Sequence, residues 1–276
     1  MSFKIISDSS SNIVLPETEN YSSVPLKIML GNEEFVDDKS LNVADFIDNM
    51  STSKEKCTTS CPNVYDWLDS FKDYKEIFCL TISNALSGSY TAAVKASEDY
   101  LKNNKDAKIE VINTLSTGPE MELIIEKLEE FNKKGYSFEQ AKKEIKEYCS
   151  SLQILFSLES LRNLAKNGRV NSAVAKIAGI LGIRVVGAGS DDGKLEPLHK
   201  CRGEKKAIET IVDEIIKRGF KGGKLRIAHC ENLNAVNTIK EMILKKFSDC
   251  DIKIRNCTGL CSFYAERGGF IIGFEA

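Results

Sequence analysis

Apolar and polar positions along the chain alternate between two periods. Short β-type runs of four to seven residues, about the length of ordinary strands, alternate with segments whose apolar residues recur at helical spacing. Residues 3–6 read as a first strand, followed by the polar turn Asp8-Ser-Ser-Ser-Asn12. Helical patterns cover 43–50 and 64–71. A buried strand over 76–82 runs through Ile77, Phe78, Cys79, Leu80 and Ile82, and a helix opens at Thr91. Another strand at 108–113 passes through the turn 114–119 into a helix over 120–134. Strands alternating with helices imply a mostly parallel sheet with helices packed on it.

The second half differs. Residues 152–157 read as a strand, 158–166 and 172–181 as helices, and 184–188 with 194–198 as a hairpin turned by Asp191-Asp-Gly193, since Asp-Gly suits a tight turn. A helix over 204–218, a strand over 225–230, a helix over 234–247 and a strand over 252–255 follow. The fold class expected is α/β, with a mostly parallel sheet in residues 1–150 and a second, mixed α/β domain in 151–276.

Turns at the carboxyl ends of parallel strands gather into a crevice. Those after Ile6, Ile82 and Asn113 therefore bring together Asp8, Ser9, Ser10, Ser83, Ser87, Ser89, Thr114 and Thr117. Such hydroxyls also serve as ordinary helix caps. The densest group, Ser83 to Ser89, joins a buried strand to a helix start, where free N–H groups suit an anion. Ser87, Gly88 and Ser89 leave the approach open, and the anion is a phosphate or a carboxylate.

Composition narrows the chemistry. The chain has 276 residues, 42% apolar and 28% charged, with 38 basic against 40 acidic residues and a net charge of −2. No basic excess is available to cover nucleic acid. No apolar stretch reaches membrane-spanning length, because 177–189 is short and contains Arg184. The N-terminus reads as a strand and not as a signal peptide, which places the chain in the cytoplasm, its nine cysteines as reduced thiols. Cys57 with Cys61 and Cys257 with Cys261 have only loosely zinc-like spacing and no second pair nearby, so no metal is expected.

Catalytic motifs are weak. Ala85-Leu-Ser87-Gly-Ser89 lacks the leading glycine of a hydrolase nucleophile elbow. The two histidines, His199 and His229, lie in a charged hairpin strand and near the end of a buried strand. There is no Walker loop, and Gly187-Ala-Gly189 lacks the third glycine and the helix of a dinucleotide fingerprint. A hydroxyl-rich anion site without an evident base points to binding more than to catalysis, with no cofactor.

Taken in order, the motifs resemble the DegV family of fatty-acid-binding proteins. They are Asp8-Ser-Ser-Ser-Asn-Ile13, Val24-Pro-Leu26, Thr59-Ser60-x-Pro62, Ile82-Ser-Asn-Ala-Leu-Ser-Gly-Ser-Tyr90, Phe156-Ser-Leu-Glu-Ser-Leu161, Gly168-Arg169-Val170, Asp192-Gly193 and Lys200-x-Arg202. The resemblance implies a long-chain fatty acid in a tunnel between two domains, its carboxylate held by Thr59, Ser60 and Ser87 with Gly88 beside them. It further implies that a partner, a fatty acid kinase, phosphorylates the presented carboxylate to an acyl phosphate for phospholipid synthesis. The chain itself would be a carrier without catalytic residues. Arg169 and Arg202 match basic positions flanking the ligand portal and are candidates for docking the kinase. Three departures stand out: Cys61 where glutamine is common, Asn113-Thr114 for Asp-Ser, and Tyr264-Ala-Glu266-Arg267-Gly268-Gly269 where the family has His-x-Gly-Pro-Gly. Tyr264 or Arg267 is expected to replace that histidine, with Ser83 as further head-group support. The competing reading is a small phosphotransferase subunit binding a phosphorylated or ketone substrate, because dihydroxyacetone-kinase folds share the architecture.

Overall fold

The computed structural model describes residues 2–15, 18–53, 55–171 and 182–276. The helix expected over 172–181 lies outside the described residues. Among those described, three sheets form. The first is all parallel in the order β2-β1-β6-β7, from β1 (Lys4–Asp8), β2 (Tyr21–Val24), β6 (Glu76–Thr81) and β7 (Lys108–Asn113). Ile77 to Leu80 are fully buried, as a strand covered on both faces requires.

Helix α2 (Val64–Phe71) starts at a capping box, Asn63 with Asp66, and buries Trp67 and Phe71 against this sheet. Helix α3 (Ser89–Asn103) packs beside α2 and presents a small-residue face of Ala93, Ala96 and Ser97. On the other side lie α4 (Pro119–Lys133) and α5 (Phe138–Ser150), whose Met121, Leu128, Phe131 and Phe138 close the core over Phe3, Ile5 and Phe78.

A six-stranded mixed sheet comes entirely from the second half, in the order β10-β9-β8-β13-β11-β12. Its strands are β8 (Leu152–Leu158), β9 (Ile183–Gly189), β10 (Leu195–Arg202), β11 (Lys224–His229), β12 (Asp251–Asn256) and β13 (Phe270–Glu275). The β9–β10 hairpin forms as the Asp-Gly turn implies. Helices α7 (Glu204–Lys217) and α8 (Leu233–Leu244) cover one face. The short α6 (Arg162–Lys166) starts only after β8 has run through Leu158, so the sequence reading began that helix too early.

A third, three-stranded antiparallel sheet was not foreseen. It orders β4 (Glu33–Val36), β3 (Lys27–Leu30) and β5 (Cys57–Ser60), with α1 (Val43–Thr52) packed near it. Together with α9 (Gly259–Ala265), it meets the inner face of the six-stranded sheet in one apolar cluster containing Leu26, Ile28, Phe46, Phe156, Leu260 and Ile271.

The halves are joined by ions as well as by packing. α4 lies on β11 and β13, and a side chain at Gly273 would run into the backbone at Glu120. Arg226, fully buried, forms a two-pronged bond to Glu126 at 2.9 and 2.7 Å, and Arg255 pairs with Glu122 at 2.7 Å.

Candidate functional site: an apolar cavity with a hydroxyl-rich wall

The three turns do converge, and Asp8 is their hub. Its carboxylate accepts the Ile82 N–H at 3.0 Å and the Ser89 hydroxyl at 2.6 Å, and the Ser10 hydroxyl also donates to it. Burial pushes the Asp8 pKa up, and the bonds from Ser10, Ser89 and Ile82 partly offset this. Further bonds tie the turns together: the Gly118 N–H to the Ser10 carbonyl at 2.7 Å, and the Ser83 N–H to the Ser116 carbonyl at 2.9 Å. Ser9 accepts the Leu26 N–H, and Thr114 donates to the Thr81 carbonyl at 2.8 Å. Much of the hydroxyl cluster therefore fixes the loops. Ser83, expected to support a head group, is fully buried and donates to the Gly193 carbonyl at 2.7 Å.

Beside this hub lies a cavity of about 280 Å³. Its walls are mostly apolar, from Leu26, Ile154, Phe156, Leu164, Leu260 and Ile271. Polar groups come from Thr59, Ser60, Ser87, Thr117, Tyr264 and Arg169. β5 carries Thr59 and Ser60 in from the small sheet, and the turn before α3 carries Ser87 and Gly88. A side chain at Gly88 would sit 3.4 Å from the Cys61 sulfur, which shows how closely the two segments meet.

The Tyr264 hydroxyl lies 2.7 Å from the Thr59 hydroxyl. Burial raises the Tyr264 pKa, with the Thr59 bond and the nearby Arg169 charge lowering it in part. The Arg169 guanidinium is itself held by the Leu86 carbonyl at 3.0 Å and by the Asn167 carbonyl. The lining of an apolar cavity thus carries five hydroxyls and a cation, a pattern able to hold an anion with a long apolar tail.

The sequence-based candidates divide accordingly. Thr59, Ser60, Ser87, Gly88 and Tyr264 come together, and Arg169 joins them in the cavity wall. Arg267 does not: it pairs at the surface with Asp48 at 2.7 Å and with Glu231. Its neighbour pairing follows from geometry, because the chain turns at Glu266 (φ 53°) and directs the next residue outward from α9. Arg202 is exposed on the edge strand β10 and is not part of the cavity wall. The histidines are engaged elsewhere: His199 with Glu214 at 3.0 Å, and His229 accepting the Asn232 N–H. Among the described residues no group of three His, Cys, Asp or Glu side chains is placed to hold a metal ion. Cys261 and Cys61 both line the cavity, and burial pushes the Cys261 thiol far up, keeping it neutral.

The DegV family profile matches residues 2–276. The chain belongs to the DegV family. A DegV domain-containing protein of Streptococcus pneumoniae is 39% identical over 279 residues, covering 100% of this chain and 99% of the relative. Among solved structures, the Fatty Acid Kinase (Fak) B3 protein of S. pneumoniae loaded with linoleic acid superposes with a TM-score of 0.97 at 39% identity, covering 100% of this chain and 99% of that one. A DegV protein of Eubacterium eligens loaded with heptadecanoic acid gives 0.96 at 39% identity, with 100% of both chains covered. The α/β architecture of parallel and mixed sheets is that of these DegV proteins.

Within this DegV chain, two of the departures from the family motifs, Cys61 and Tyr264, meet in the cavity. Cys61 lines it, and Tyr264 supplies a phenol hydrogen-bonded to Thr59. Asn113 serves the loop, its side-chain carbonyl accepting the Asn84 N–H at 3.1 Å. Arg169 as a wall residue was missed, because it follows the helix end and Gly168 (φ 75°) and is held by the Leu86 carbonyl, 83 residues away in sequence. The role of Asp8 was missed too, because a buried structural carboxylate and a ligand-facing one look alike in sequence.

Proposed function

We propose that this chain is a carrier that encloses a long-chain fatty acid in the cavity and presents its carboxylate to a fatty acid kinase. The observation that carries the reading is the mostly apolar cavity whose lining also brings together Thr59, Ser60, Ser87, Tyr264 and Arg169. Each buried methylene contributes roughly 0.8 kcal/mol, so a tail of about fifteen supplies on the order of 12 kcal/mol before ordering costs. Desolvating the carboxylate and immobilising the tail remove several kcal/mol of that. The hydroxyls and Arg169 offset the head-group term and fix its position. A phosphorylated sugar would leave the apolar walls at Leu26, Ile154, Phe156 and Ile271 without a partner, which disfavours the phosphotransferase reading.

Carboxylate chemistry is assigned to the partner: a kinase transfers a phosphoryl group from ATP to the presented carboxylate, giving the acyl phosphate used in phospholipid synthesis. Mass spectrometry of the purified protein under mild denaturation is the direct test. A released long-chain acid, together with uptake of a fluorescent fatty acid, is the expected result. A protein that is empty and takes up no fatty acid would overturn the carrier reading. Acyl phosphate formed from the loaded protein, ATP and a fatty acid kinase catalytic subunit tests the hand-over separately.

A further inference from the structure

The inner face of the six-stranded sheet forms part of the cavity. On β8 that face carries Ile154, Phe156 and Leu158, all of which line the cavity. On β9 the matching face carries Val185, Gly187 and Gly189, with Leu158 opposite Val185 and Phe156 opposite Gly187. Two alternate positions of one strand therefore lack side chains on the cavity side, where a strand normally carries β-branched residues.

Backbone conformation does not require glycine there, since neither residue has a positive φ. Space does. A Cβ on Gly187 would overlap the tip of the Phe156 ring and come 2.6 Å from the Glu196 carbonyl oxygen on β10. A Cβ on Gly189 would come 2.7 Å from the Cγ2 methyl of Ile154. Phe156 and Ile154 thus lie sideways over β9, in the trough that the glycines leave.

We propose that Gly187 and Gly189 set the length of acyl chain the cavity accepts, by giving Phe156 and Ile154 a place to recline. The inference rests on the fatty-acid reading above. Any side chain at 187 or 189 pushes the ring or the methyl toward the ligand and shortens the usable space. A methylene of mismatch in an apolar pocket changes affinity by about tenfold or more.

The test compares wild type with Gly187→Ala, Gly189→Ala and Phe156→Leu. Saturated acids from dodecanoic to icosanoic acid displace a fluorescent fatty acid, and native mass spectrometry identifies the acids retained. Both glycine variants are expected to lose about tenfold or more for the longest acids that wild type binds, with the shortest nearly unchanged. Phe156→Leu is expected to move the optimum toward longer acids. Should Gly187→Ala fail to fold, because the Glu196 carbonyl is backbone and yields little, Gly189→Ala and Phe156→Leu decide the question. Wild type that binds no acid of the series overturns the carrier reading itself. Wild type with a length optimum that Gly189→Ala and Phe156→Leu leave in place, or variants weakened equally at every length, overturn this inference alone.

Discussion

The Tyr264 phenol, on α9, lies 2.7 Å from the Thr59 hydroxyl on β5, a pairing that spans 205 residues of sequence. Burial keeps the phenol protonated, so the pair offers at least one O–H toward the cavity. If the ligand is a carboxylate, Tyr264→Phe, Thr59→Val and Ser87→Ala should each weaken fatty-acid binding by roughly 1–3 kcal/mol, the cost of an unpaired buried acceptor. Displacement of a fluorescent fatty acid measures this. Wild-type affinity in all three variants would remove the hydroxyl wall from the head-group site.

Legibility in the sequence followed the range of the interactions involved. β6 was readable because a strand buried on both faces leaves a continuous apolar run, Ile77 to Leu80. The β9–β10 hairpin was readable because Asp192-Gly193 fixes a turn locally, and Gly193 does adopt φ 75°. Strand β13 went unread, although it pairs with both β8 and β11 at the centre of its sheet. Its two neighbours are distant in sequence, and Gly273 interrupts its apolar pattern. The small sheet was missed because its four-residue strands mix polar and apolar positions, as in Glu33 to Val36. At the site, Thr59, Ser60, Ser87 and Gly88 came from motif resemblance. Arg267 was misplaced because its partner Asp48 is 219 residues away, a pairing that no local pattern announces.

Two buried acids should make stability depend on pH in an unusual direction. Burial raises Asp37 to about 6, against the bond from the Gly259 N–H, and raises Glu120 to about 7. An acid with a raised folded pKa holds its proton better when folded. Its stabilising contribution is complete below the unfolded value near 4 and is lost as pH rises through 6 to 7. His229 works against this, because burial lowers its pKa and its contribution, present above the ordinary histidine value, is lost as pH falls below it. Glu120→Gln isolates one group. Denaturant midpoints should show the variant gaining on wild type by on the order of 1–3 kcal/mol between pH 5 and pH 8. A constant difference across that range would remove Glu120 as the cause.

Arg226 presents a different balance. It is fully buried and shared between Glu126 and Asp251, the latter at 2.6 Å. Burial alone would raise the Glu126 pKa, but the bonds from Arg226 and Lys253 more than reverse this and hold it at about 2. Removing one partner of a buried pair costs roughly 3–5 kcal/mol. Because Asp251 remains, Glu126→Ala should fall near the lower end of that range. Pairing it with Arg226→Met, which removes the stranded charge, should recover part of the loss. A single variant as stable as wild type by chemical denaturation would show that the pair does not hold α4 to the sheet.

Arg202 offers a test of the partner that is independent of the ligand. It is exposed on the edge strand β10, outside the cavity wall, so reversing its charge should leave fatty-acid affinity unchanged. An exposed arginine is ordinarily only a solvated charge, and its effect on a neighbouring surface is screened within about 8 Å at physiological salt. If the kinase brings an acidic surface to this edge, complementary charge mainly accelerates association. Arg202→Glu should then slow acyl phosphate formation from the loaded protein, with the deficit larger at low salt and shrinking as salt is added. Rates measured with the kinase subunit limiting, over a salt series, separate the two possibilities. Equal turnover of variant and wild type at every salt concentration would place the kinase elsewhere on the molecule, and Arg169, which sits in the cavity wall beside the Leu86 carbonyl, would then be the basic residue left to explain.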